Sequence, residues 1–143
     1  VNAGTSIVNA VVAEDLMVEE GRVTGLVVNW RPVSDARMPV DPLTFRGKAV
    51  VDGTGHDAMM CHALSRRGMK LSSESGSPAG EGPMAADAGE RLVVERTGEV
   101  FPGLYVAGMA VAAVHGSPRM GPIFGGMLLS GERLARELIE QLG

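Results

Sequence analysis

The sequence predicts an α/β fold, and three stretches carry that prediction. Residues 47–64, "GKAVVDGTGHDAMMCHAL", run from a short apolar segment through a Gly-Thr-Gly turn into a helical pattern. Strand, glycine turn and helix form the unit from which α/β sheets are built. Residues 7–18, "IVNAVVAEDLMV", and 23–30, "VTGLVVNW", are two β-rich runs on either side of the turn-forming "EEGR" and read as a hairpin. A further short apolar run, "LYVAGMA" at 104–110, ends at Gly108 and reads as a buried strand.

The remaining segments follow in order. Residues 71–90, "LSSESGSPAGEGPMAADAGE", hold almost no large apolar side chain and bury too little surface to offset their ordering, so a mobile loop is expected there. "RLVVERTGEVFPG" at 91–103 reads as a strand pair around a Thr-Gly turn. In "GPIFGGMLLSGERLARELIEQLG", residues 121–143, Ile123, Met127, Leu128, Leu134, Leu138 and Leu142 recur at helical spacing, and charges appear only after Gly131. The first half of that helix is expected to be buried, with its N-terminus aimed at a partner.

At 143 residues and 45% apolar content the chain is the size of one domain with its own core. A net charge of -4 and a pI near 5.3 argue against a nucleic-acid surface, which requires clustered lysine and arginine. A single cysteine makes no internal disulfide, and no apolar run reaches the length of a membrane span or secretory signal, so a cytoplasmic protein is expected. The chain opens on Val1, in strand-like sequence, and is expected to begin inside a longer protein.

Arg119 stands in "HGSPRMGP" among small and apolar neighbours, with no acid within a turn in sequence. An unpaired buried guanidinium is too costly to persist, so Arg119 reaches solvent, pairs with a distant acid, or awaits an anion. Its planar fork suits a carboxylate, and a helix N-terminus just after it would favour negative charge further. His56 and Asp57 follow the glycine turn, where side chains line the crevice at the carboxyl end of a sheet. His56 there is compatible with a metal ligand, a general base or a structural cap. Asp41, in the rigid "MPVDPL", would share a divalent metal with His56 if the two segments meet; two protein ligands leave an open O/N shell of the kind that suits iron(II). Cys61, inside "AMMCHAL", reads as a buried, inert thiol, while His62 and His115 have no evident acid beside them. No GxGxxG, Walker loop or CxxC pair is present.

Residues 103–131, "GLYVAGMAVAAVHGSPRMGPIFGGMLLSG", together with 38–58, "MPVDPLTFRGKAVVDGTGHDA", resemble the Thi4-type thiazole synthases, and specifically the carboxyl-terminal part of that family. The resemblance implies a fragment of a flavoprotein-like (glutathione-reductase-type) dinucleotide-binding fold with a β-rich hairpin section. Residues 1–143 would be the carboxyl-terminal part of a single synthase domain whose glycine-rich amino-terminal half is absent, and the fragment alone is expected to be inactive. The implied activity is formation of the adenylated thiazole precursor of thiamine, consuming NAD as a substrate together with glycine and sulfur.

One version of the family sacrifices its own cysteine, immediately before the glycine of the "GHD" motif; the other takes free sulfide in an iron-dependent reaction. Thr54 occupies the cysteine position here, which points to the sulfide-using, Fe(2+)-dependent form. Matched residue by residue, Asp41 and His56, fifteen positions apart, hold the iron, the aspartate being offered across a subunit boundary. Arg119 binds the glycine carboxylate, Met109 and Val12 contact the nucleotide, and Pro39 and Val40 reach the ligand of the neighbouring subunit. A homo-octamer is implied. Two other readings stay open: the carboxyl-terminal half of an FAD-dependent oxidoreductase, because "GLYVAGM" also resembles the second dinucleotide motif of that class, and a noncatalytic nucleotide-binding remnant.

Overall fold

A computed structural model describes residues 3–143. The first half contains β1 (Val11–Glu19), β2 (Arg22–Trp30), α1 (Arg31–Asp35), β3 (Leu43–Arg46), β4 (Val50–Asp52), a 3-10 turn (Gly55–Asp57) and α2 (Met59–Arg66). The second half contains β5 (Gly82–Met84), α3 (Ala86–Glu95), β6 (Gly98–Phe101), β7 (Leu104–Val106), α4 (Met109–His115), β8 (Pro118–Arg119) and α5 (Gly125–Leu142). The described residues are thus mixed α/β, as expected, and form three small sheets.

The predicted hairpin is β1 and β2, antiparallel, with β3 added to the far edge of β2. Its turn is Glu20-Gly21, with φ of 50° and 75°; two successive positive φ values match the right-handed twist of the flanking strands. The second sheet has the order β4-β7-β6, with β4 parallel and β6 antiparallel to β7. All three residues of β7 are buried, which is why "LYV" reads as an unbroken apolar run without alternation. α2 follows β4 and α4 follows β7, and every residue of α4 from Met109 to Val114 is buried. Leu16 and Val23 from the hairpin join the same core as Leu64, Val93, Leu104 and Val111. The amide of Val23 donates to Pro102 O at 2.8 Å, tying the hairpin to the turn between β6 and β7.

Three expectations require correction. The stretch 71–90 is not loop throughout: it contains β5 and the first half of α3. "RLVVE" is the second half of α3, and only "GEVF" forms a strand, β6. Gly89 and Val93, one helical turn apart, are the buried residues of α3, and Asp87 sits in its first turn, where an acid complements the helix dipole. The third correction concerns α5. Its inner face is Gly126, Ser130 and Leu134, whereas Leu128 and Leu129 are exposed. Small residues at four-residue spacing let this helix approach closely, so burial follows size here more than hydrophobicity. Ser130 Oγ accepts from the Gly108 amide at 2.8 Å and lies 2.6 Å from Thr97 Oγ1, which donates to Val93 O at 2.6 Å. With the Thr97 proton committed to that carbonyl, Ser130 donates to Thr97, and all three buried polar groups are satisfied.

Candidate active site

The site is built on Asp52, the fully buried last residue of β4. Its Oδ1 accepts from the Thr54 amide at 3.1 Å and the Thr54 hydroxyl at 2.7 Å. Its Oδ2 accepts from the amides of Met60 at 2.9 Å and Cys61 at 3.0 Å, in the first turn of α2. Thr54 Oγ1 in turn accepts from the Met59 amide at 2.8 Å. One carboxylate and one hydroxyl thereby satisfy three of the free N–H groups at the start of α2 and fold the intervening "GTGHD" into a tight 3-10 turn. That turn holds His56 outward, with its side chain 63% exposed.

His56 Nδ1 lies 2.7 Å from Glu81 Oε1, a carboxylate only 14% exposed and twenty-five residues downstream. Glu81 falls in the stretch read as a loop and was not among the candidates from sequence; no local pattern marks it. Its neighbours are fixed, because β5 pairs in parallel with β8, Gly82 opposite Pro118 and Met84 opposite Arg119. Arg119 is exposed and, among the described residues, its guanidinium forms no ion pair. Pairing with a distant acid, one of the three fates open to it from sequence, is therefore not what this chain does.

His56, Arg119 and Met109 line one cavity of about 300 Å³, together with Met84, Gly121, Phe124 and Met127. A guanidinium, an imidazole, thioethers and one aromatic ring together line a small pocket of mixed polar and apolar character, compatible with a small-molecule site. The α5 N-terminus does not add its dipole to Arg119 in the simple way expected. The Gly126 amide donates to Glu90 Oε1 of α3 at 2.8 Å, so this helix start is capped from within the chain.

The other candidates lie elsewhere. Asp41, Pro39 and Val40 sit in the exposed connection between α1 and β3 and do not line the cavity, and among the described residues Asp41 forms no ion pair with His56. Among the described residues no group of three or more His, Cys, Asp or Glu side chains is clustered for a metal. Val12 pairs with Asn29 in the hairpin sheet. Cys61 is fully buried, and burial followed by the nearby Asp52 carboxylate pushes its thiol pKa well up, as expected of an inert cysteine. His62 is exposed beside Glu14 and Asp57 in a separate, smaller cavity, and His115 is half-buried at the end of α4. Among the described residues no helix is long and apolar enough to cross a membrane.

A sequence model of the Thi4 family matches residues 1–124. The chain is 54% identical over 143 residues to a protein of Thermococcus kodakarensis named thiamine thiazole synthase, covering 100% of this chain and 55% of that one. It is 52% identical to the Pyrococcus furiosus protein of the same name, again covering 100% of this chain and 55% of the relative. A crystal structure of Thermovibrio ammonificans THI4 superposes with a TM-score of 0.95 at 47% identity, covering 99% of this chain and 56% of that chain. The chain therefore spans about half the length of the relatives it matches.

Proposed function

This chain belongs to the Thi4 family, and from that premise we propose that the protein containing it is a thiamine thiazole synthase that forms ADP-thiazole from NAD, glycine and free sulfide with iron(II). The observation that carries the reading is the single cavity that collects His56, Met109 and an Arg119 without an ion pair. In this reading Arg119 grips the glycine carboxylate through two parallel N–H donors and so fixes where the amino group points. Met109 and Met127, with the more exposed Met84 and Phe124, give the nucleotide an apolar wall.

In this reading the protein donors to the metal come from two copies of the chain. The exposed His56 ring has Nδ1 engaged by Glu81, which leaves Nε2 as the ligating atom, and Asp41 supplies an oxygen from a neighbouring copy. When bound, iron(II) supplies coordination positions for a soft sulfur donor and for substrate atoms. Exposure of Met38, Val40, Leu43 and Phe45 beside Asp41 supports an assembly of copies there, with Pro39 and Val40 against the neighbour's ligand. A homo-octamer in the cytoplasm, on a flavoprotein-like dinucleotide-binding fold with Val12 against the nucleotide, is the form proposed.

Free sulfide is favoured over a sacrificed side chain because Thr54 has no sulfur and its hydroxyl is committed to Asp52 and the Met59 amide. The buried, high-pKa Cys61 is a poor donor as well. The test uses the full-length protein with NAD, glycine, iron(II) and sulfide, and follows ADP-thiazole by mass spectrometry. Product that requires added sulfide, and that is lost in both His56→Ala and Arg119→Ala, is the expected result. Product without added sulfide overturns the sulfur assignment, and full activity in both variants overturns the site.

A further inference from the structure

We propose that Glu81 is a positioning residue for His56, setting the tautomer and ring orientation that present Nε2 to a divalent metal; this rests on the reading of His56 as a metal ligand. The contact is His56 Nδ1 to Glu81 Oε1 at 2.7 Å. An ionised carboxylate accepts but does not donate, so in the neutral ring this contact favours the tautomer with the proton at Nδ1 and the lone pair at Nε2. Without that partner a neutral imidazole distributes its proton between both nitrogens, and an exposed ring turns freely about its side-chain bonds.

The asymmetry of burial shows which partner positions which. The Glu81 side chain is 14% exposed and that of His56 is 63% exposed. Glu81 is also anchored through the backbone on both sides. The Gly80 amide donates to Ala113 O at 2.9 Å, and the Gly82 amide donates to Ser117 O at 3.0 Å. Ala113 lies in the buried stretch of α4, so the backbone that carries the carboxylate is tied to the core. The same ribbon carries Arg119, because β5 and β8 pair directly after Glu81. One two-stranded unit therefore sets both the orientation of the metal-binding ring and the place of the anion-binding guanidinium. A polar contact with one member this exposed adds little to stability, so the geometry serves the ring more than the fold.

The experiment titrates the full-length, metal-free protein with cobalt(II) alone, in competition with a chromophoric chelator, and records the visible absorption of the bound ion. Glu81→Ala is expected to weaken cobalt(II) binding by about 10- to 100-fold, the usual effect of removing a partner that orients a metal-bound histidine, and to change the visible band. Glu81→Gln keeps an acceptor oxygen and is expected to fall between wild type and Glu81→Ala, with an unchanged thermal midpoint; it carries the test if the alanine variant does not fold. Wild-type affinity and an unchanged band in both variants, with loss of binding in His56→Ala, overturn the role of Glu81 and leave the metal reading standing. Wild-type binding in His56→Ala overturns the metal reading and this proposal with it.

Discussion

The carboxylate of Asp52 and the hydroxyl of Thr54 lie 2.7 Å apart, and through that contact the end of β4 holds the start of α2. Asp52 accepts four hydrogen bonds without exposure to water. An asparagine offers one acceptor oxygen and turns an NH2 group toward donors. Asp52→Asn is therefore expected to lower unfolding free energy by about 2–4 kcal/mol, since hydrogen bonds to a charged group contribute about 1.5–3 kcal/mol each and an orphaned buried donor costs as much. Urea unfolding followed by circular dichroism measures it, and a loss below about 0.5 kcal/mol, the range of an inert surface change, would show that water replaces the carboxylate.

His115 sets a pH dependence of stability. Burial first, and the Arg96 charge second, hold its pKa below the ordinary 6.5, with Glu74 pulling weakly the other way. The native state thus favours the neutral ring, whose Nε2 is buried and has no hydrogen-bond partner among the described residues. Below 6.5 the unfolded chain binds the proton more readily than the native one, so this contribution is complete above 6.5 and is lost as pH falls toward the native pKa. His115→Gln removes the proton exchange, and its urea midpoint is expected to fall less steeply than wild type below pH 6.5. Parallel pH profiles for the two proteins would contradict the assignment.

Arg119→Lys separates charge from shape. The side chain is exposed and makes no ion pair among the described residues, so stability is expected to change by less than about 0.5 kcal/mol. Lysine keeps the charge but loses the planar fork, and the KM for glycine is expected to rise about tenfold or more with NAD and sulfide saturating. An unchanged KM would mean that the carboxylate is held elsewhere.

The hairpin was readable because its signal is local: two β-rich runs meet at a glycine turn, and the observed φ values of Glu20 and Gly21 are what that turn requires. The glycine turn before His56 and the absence of a neighbouring acid at Arg119 were local too. Glu81 was not readable, because its partner is twenty-five residues away and its own surroundings are small and polar. α3 was misassigned because Val93 and Val94 are β-branched, while the feature that decides its packing is Gly89, whose effect depends on a strand thirty residues downstream. The outward face of α5 misled for the opposite reason. Leu128 and Leu129 look like core, yet the contacts are made by Gly126 and Ser130.

Gly89 offers the sharpest test of how α3 supports the site. A Cβ added there would stand 2.6 Å from Pro118 O and 3.0 Å from both Arg119 C and Met120 N, all backbone atoms of β8 or of the residue directly after it. Neither side of that contact ends in a flexible side chain, so α3 or β8 must move. Alanine is the better helix former by about 1 kcal/mol, yet Gly89→Ala is expected to destabilise by about 1–3 kcal/mol through overpacking and to weaken glycine binding although residue 89 does not line the cavity. Gly131→Ala in α5 is the matched control, because nothing lies within 4 Å of its added Cβ, and there the helix preference should appear as a gain of up to about 1 kcal/mol. Thermal unfolding of the two variants, read beside the glycine KM of each, distinguishes the causes. If both alanines stabilise alike, α3 does not press on the Arg119 strand, and the pocket owes its shape to something other than this helix.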